Sequence, residues 1–158
     1  MRRRELLAGA AAAAVTVRAT PARAATDEGG LLLGLWRREM GLALAYGSVV
    51  HADPAFALLR THASDHAAAI ATELAAVGLG TPKPPETPQD LDIGAQRLAT
   101  SERDAAVANA VLAEEDMVAV YKGALPALPD AKIAMTAATI LAAHAQQLFI
   151  LRRAARVT

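Results

Sequence analysis

The sequence predicts an all-α protein: four helices, arranged as two antiparallel hairpins joined by one long connection. Three observations carry this. Apolar residues recur at three- and four-residue spacing through four separate stretches. Alanine, the best helix former, and leucine dominate a chain that is 54% hydrophobic yet only 3% aromatic. The breaks between the stretches run short, long, short.

The first helix is expected from about Glu28 to Val50, with a stripe of Leu32, Leu35, Leu42, Tyr46 and Val49. Asp53-Pro54 then supplies an N-cap and a first-turn proline. The second helix carries Leu59, Ile70, Leu74 and Val77 inward and stops at Gly78. The segment from Gly78 to about Thr100, with Gly80, Pro82, Pro84, Pro85 and Pro88, reads as a stiff, non-helical connection. Ser101, with Asp104 three residues on, reads as the capping start of the third helix. Its stripe is Val107, Val111, Val118, Tyr121 and Leu125. Pro126 and Pro129 break the chain. Asp130 then caps a fourth helix, running to about Arg156 with Ile133, Ile140, Leu141, Leu148 and Leu151 inward. The long connection is long enough to run the length of a bundle. A simple up-down bundle with a floppy link, or helices that need a partner, are the alternatives.

The N-terminus predicts the compartment. Arg2, Arg3 and Arg4 precede Leu6 to Val17, a mildly apolar stretch built mostly from alanine. Ala22-Arg23-Ala24 offers small residues at the two positions a signal peptidase reads, which places cleavage before Ala25. The stretch is shorter than the roughly 20 residues of a membrane span. Arg3-Arg4, Glu5 and Leu6-Leu7 match the twin-arginine consensus, and the weak apolar region with Arg18 and Arg23 suits that route better than the Sec route. The expected division is residues 1–24 as a signal recognised by the twin-arginine export machinery and 25–158 as one domain. The product would lie outside the cytoplasmic membrane, with no stable membrane span after cleavage.

The signal takes five arginines and one glutamate from a chain of 16 basic and 16 acidic side chains. The remainder thus carries 11 and 15, a net of about −4. An acidic, unclustered surface argues against nucleic acid as a partner. The absence of cysteine excludes disulfides, a thiol nucleophile, thiolate metal sites and a lipidated cysteine. There is no phosphate-binding glycine loop and no recognisable Ser-His-Asp order. Arg152, Arg153 and Arg156 suit the dipole at the end of the last helix.

The two hairpins resemble each other. Glu39 is followed seven residues later by Tyr46, and Glu114 seven later by Tyr121. Both glutamates fall on the apolar stripe of their helix. Setting His66 against Gln147 brings Ala63 opposite His144 and Leu59 opposite Ile140. Each hairpin then offers a glutamate on one helix and an imidazole on the other, pointing inward. An ionised carboxylate on a core stripe is costly unless paired or metal-bound. Pairing with an imidazole or a tyrosine hydroxyl in a buried polar network, and binding of a metal, both satisfy that requirement. Core packing is the primary role expected for Tyr46 and Tyr121, with hydrogen bonding to the glutamates as a second one.

From about Leu31 to Arg153 the chain resembles the exported bacterial ferritin-like domain proteins. The resemblance rests on Asp65 through Leu74 running on to Gly78 and Pro82 to Pro85, on Glu114 through Leu125, and on Ala138 through Gln147. It implies a ferritin-like four-helix bundle with a metal site built from inward side chains. Di-iron members use one glutamate from each of two helices and a Glu-x-x-His pair from each of the others. Here Glu39 and Glu114 match the single glutamates. The second-helix pair is Ala63 and His66, and the fourth-helix pair is His144 and Gln147, so three of six positions depart from the pattern. The two lost carboxylates are those that would bridge the irons. Glu39, His66, Glu114 and His144 are the expected ligands of one divalent ion (iron, zinc or manganese). His62, Asp65, Gln147, Tyr46 and Tyr121 are the substitutes or outer groups. A metal-free structural module of the cell envelope is the first alternative and a di-iron oxidoreductase or ferroxidase the second. A homodimer is in keeping with the resemblance.

Overall fold

The computed structural model describes the backbone of residues 22–156 and the side chains from Glu28 onward. The expected signal, except its last three residues, lies outside the described residues. Among those residues the chain is all-helical. Its helices are α1 (Ala22–Val49), α2 (Ala55–Ala76), α3 (Ile93–Ala99), α4 (Arg103–Ala124) and α5 (Ala131–Ala154). Short 3-10 turns occupy Pro88–Asp90 and Leu125–Ala127.

The pairings fix the direction of each long helix. On α1 and α2, Tyr46 stacks on Phe56 at 5.8 Å and Glu39 meets His66, so the two run antiparallel. On α1 and α4, Glu39 meets Tyr121 and Tyr46 meets Glu114, again antiparallel. On α2 and α5, Glu73 meets Lys132 and Thr136 while His62 meets Gln147, antiparallel once more. The chain therefore runs up, down, down, up, and α2 and α4 are parallel. A parallel pair needs a connection that returns the full helix length, and residues 77–102 provide it.

That connection is not the non-helical segment the prolines predict. Gly78 ends α2 with a φ of +78°, a left-handed conformation that glycine adopts without a Cβ clash. The amide of Leu79 then reaches the Leu74 carbonyl (2.9 Å) and that of Gly78 reaches Ala75 (3.1 Å), the two bonds of a Schellman end. Leu79 folds back onto Gly29, where even a methyl group would sit 2.4 Å from its Cδ1. The chain is extended until the 3-10 turn, and α3 follows. Asp92 caps α3 by accepting from the Ala95 amide (3.0 Å) and holds Arg38 of α1 at 2.9 Å. Ala95 and Leu98 are buried between α1 and α4.

One further boundary and one buried face differ from expectation. Glu102, not Ser101, precedes α4, and makes no side-chain cap. Ser101 instead donates to the Arg97 carbonyl and accepts from Asn109. The buried face of α4 is Ala106, Ala110, Ala113, Glu114, Met117, Tyr121 and Ala124, with Val107, Val111 and Val118 half-buried at its margins. Small alanines face inward because two tyrosines and an imidazole already fill the centre. The stripes of α1 and α5 are as expected, and Asp130 caps α5 by accepting from Lys132 and Ile133 (2.8 and 3.0 Å). By length and composition α5 could cross a membrane, yet its inner face carries Ile133, Ile140, His144, Gln147 and Leu151 in the core.

Candidate metal centre

The centre is built from the middles of α1, α2, α4 and α5. Glu39 lies between Leu35 and Leu42 on the inner face of α1, and Glu114 between Ala110 and Met117 on that of α4. Seven residues are two helical turns, so Tyr46 and Tyr121 share those faces. Because α1 and α4 are antiparallel, each glutamate is level with the other helix's tyrosine. Tyr46 donates to Glu114 Oε1 at 2.5 Å and Tyr121 to Glu39 Oε1 at 2.7 Å. The tyrosines that seemed chiefly packing groups are thus the hydroxyl donors of the site, each serving the opposite hairpin.

His144 enters from α5 between the two carboxylates. Its Nδ1 is 2.7 Å from Glu114 Oε2 and its Nε2 is 2.8 Å from Glu39 Oε1. The ring, Glu39 and Glu114 are all fully buried. Burial opposes a charged imidazole, but the bonds to Glu114 and Glu39 outweigh it and hold His144 protonated up to about 9. Burial likewise opposes the charge on Glu39, while His144 and His66 pull its carboxyl below the usual value. Burial and the carboxylate beside each hydroxyl push both tyrosines up, so they remain donors. At neutral pH the centre is an imidazolium between two carboxylates, each steadied by a phenol.

One corner of this network is unsatisfied. His66, on α2, brings Nδ1 to 3.4 Å from Glu39 Oε2, and neither atom has a hydrogen-bond partner although both are buried. Unpaired buried polar atoms are uncommon and ask for an explanation. Glu39, His66 and His144 each offer one ligand atom, and these atoms all lie within 4.8 Å of one another. Two imidazoles and a carboxylate are a donor set that zinc and ferrous iron both accept. With bonds near 2.1 Å, neighbouring ligands of a tetrahedral ion are about 3.4 Å apart, which is the spacing of the orphaned pair.

Glu114 stands outside this group, on the far ring nitrogen of His144. That is the position of a carboxylate that orients a metal-binding imidazole rather than binding the ion. Ala63, where a bridging carboxylate would stand, is a buried methyl group. Gln147 donates from Nε2 to His62 Nδ1 at 3.0 Å at the α2–α5 seam. Asp65 is exposed on α2. The residues present do not fit a carboxylate-bridged pair of irons.

Sequence reasoning missed Glu73. It is buried and accepts from Thr136 Oγ1 (3.0 Å) and Lys132 Nζ (3.1 Å), clamping α2 to α5. A glutamate inside an apolar run of α2, between Ile70 and Leu74, was its only local signal. No protein-family model matches the chain, and neither a curated protein nor a solved structure matches it.

Proposed function

We propose that this chain is an exported ferritin-like four-helix bundle that holds one divalent metal ion between Glu39, His66 and His144. The single observation that supports this most is the orphaned pair, Glu39 Oε2 and His66 Nδ1, buried and aimed at each other beside a third ligand atom. The up-down-down-up course with its long return supports the ferritin-like reading, since one crossover between two hairpins has that form. The loss of bridging carboxylates sets it apart from di-iron members. Arg3-Arg4 with Leu6-Leu7, and the small residues before Ala25, support export of the folded protein.

In this reading neutral His144 would hold the ion through Nε2, with its Nδ1–H kept on Glu114. Tyr121 holds one oxygen of Glu39 and leaves the other to the ion. The ion supplies positive charge in place of the imidazolium proton and an electrophilic centre beside the α2–α5 seam. Iron, zinc and manganese are all compatible with the donor set.

A second reading, a metal-free structural module of the cell envelope, is favoured by the closed part of the network. Four hydrogen bonds already satisfy most of the centre without an ion. One experiment separates the two. Protein stripped with chelator is titrated with Zn²⁺, Fe²⁺ and Mn²⁺, with bound metal and melting temperature measured. The metal reading expects one equivalent bound and a raised melting temperature, with both lost in Glu39→Gln and His66→Ala. No uptake and no change in melting temperature with any of the three would establish the metal-free module instead.

A further inference from the structure

The buried group differs in how its members meet the outside. Glu39 and His144 are fully buried, whereas the side chain of His66 retains 15% exposure. The opening of the site is therefore on the α2 side. His66 and His144 meet edge to face at 5.0 Å across the α2–α5 seam. One turn along α2 is His62, half-buried, and less than one turn along α5 is Gln147. These two join across the same seam at 3.0 Å. The seam thus carries two rungs one turn apart: His66 with His144, and half-buried His62 with buried Gln147. At its other end it is closed by Glu73 with Lys132 and Thr136.

The hydrogen bond occupies His62 Nδ1, and a cation bound at that nitrogen would take the place of the Gln147 amide. A neutral imidazole is the form that binds metal. Histidines at i and i+4 share one helix face, the arrangement by which a helix grips a single ion through two imidazoles. A hydrated cation entering a fully buried site must shed its water, and each protein ligand met on the way replaces part of that loss.

We infer that His62 is an entry ligand: a divalent cation is received at the α2–α5 seam by His62 and His66, then passes inward to Glu39 and His144 while His66 stays bound. Gln147 holds the His62 ring across the seam until the cation displaces that hydrogen bond. This rests on the metal reading above, and it adds a second station for the ion together with a path between the two.

Cobalt(II) is the probe, because its visible absorption reports entry into a low-coordinate nitrogen and oxygen site. Chelator-stripped full-length protein is mixed with Co²⁺ by stopped flow, and release is followed by adding excess chelator. The expected result for His62→Ala is loading and release both slowed by roughly tenfold, corresponding to about 1.4 kcal/mol on the barrier, with the equilibrium affinity unchanged. His62→Gln keeps a side chain that can bond Gln147 but lacks an imidazole; it should behave as His62→Ala does, and it decides the matter if the alanine variant unfolds. Loading at the wild-type rate in either folded variant overturns the proposal. Loss of affinity without slower loading also overturns it, because His62 would then be a resident ligand. A wild-type protein that gives no cobalt absorption at all overturns the metal reading itself, and the entry route with it.

Discussion

His144 is the residue on which the most depends. It stands between two buried carboxylates, so its removal leaves Glu114 without an imidazole partner and Glu39 with His66 alone. His144→Leu should cost about 3–5 kcal/mol, the range for breaking a buried ion pair from one side. Chemical denaturation of the chelator-treated protein measures it. The pH dependence follows from the same residue. In the metal-free fold its pKa stands above the ordinary 6.5, at about 9, so it stabilises fully below 6.5 and that contribution is lost as pH rises through about 9. Glu39 has the opposite sign: its folded pKa lies below 4.5, so its contribution is present above 4.5 and is lost as pH falls through the lower folded value. Melting temperature against pH should therefore be highest between about 4.5 and 6.5 and should fall on the alkaline side by pH 9. In Glu114→Gln the alkaline fall should shrink, because one of the two charges raising the imidazole is gone. A melting curve that is flat from pH 6 to 9 in wild type would contradict this protonation scheme. Glu39, Glu114, His66 and His144 were legible in the sequence as a group, because each hairpin puts a glutamate on the apolar stripe of one helix and an imidazole on the other. Their division of labour was not. Which nitrogen of His144 faces which glutamate depends on the relative height of three helices, and no local pattern encodes that.

At the scale of elements, the helix ends show what local chemistry does decide. Asp130 was legible as a cap because an aspartate after Pro129 opens an alanine-rich helix, and it accepts from two α5 amides. Asp130→Ala should lower stability by about 1 kcal/mol, the usual worth of such a cap, with α5 frayed at its first turn in hydrogen exchange. A change below a few tenths would show that the Glu28 contact to the Asp130 amide carries this end instead. Two features of the elements escaped the sequence for physical reasons. At seven residues, α3 spans two turns, too few for a 3.6-residue period to stand out, and prolines precede it. The inner face of α4 was read from its valines, but alanine holds most of the buried positions, because Tyr121 shares that face and Tyr46 and His144 reach Glu114 on it from other helices. Hydrophobicity alone ranks valine above alanine; the volume left by distant residues reverses that order here.

Across the whole molecule, the hairpins are joined by more than their connection. Tyr46 and Tyr121 each cross to the other hairpin's glutamate, so both buried bonds depend on the docking of the two hairpins. Tyr46→Phe and Tyr121→Phe should each cost about 1.5–3 kcal/mol, as for hydrogen bonds to a charged group, and the double variant should cost less than their sum, because both remove donors from one His144-centred network. Denaturant midpoints of the three variants test this, and strict additivity would show the two bonds to be independent. The antiparallel course of each hairpin was legible from its short loop; the crossed bonding was not, since it joins residues 68 and 82 positions apart. That crossing has a consequence for ancestry. Each half of the molecule carries a carboxylate whose phenol donor lies in the other half, so two identical halves would complete one another. A single such helical pair would have been viable only as a self-paired twin.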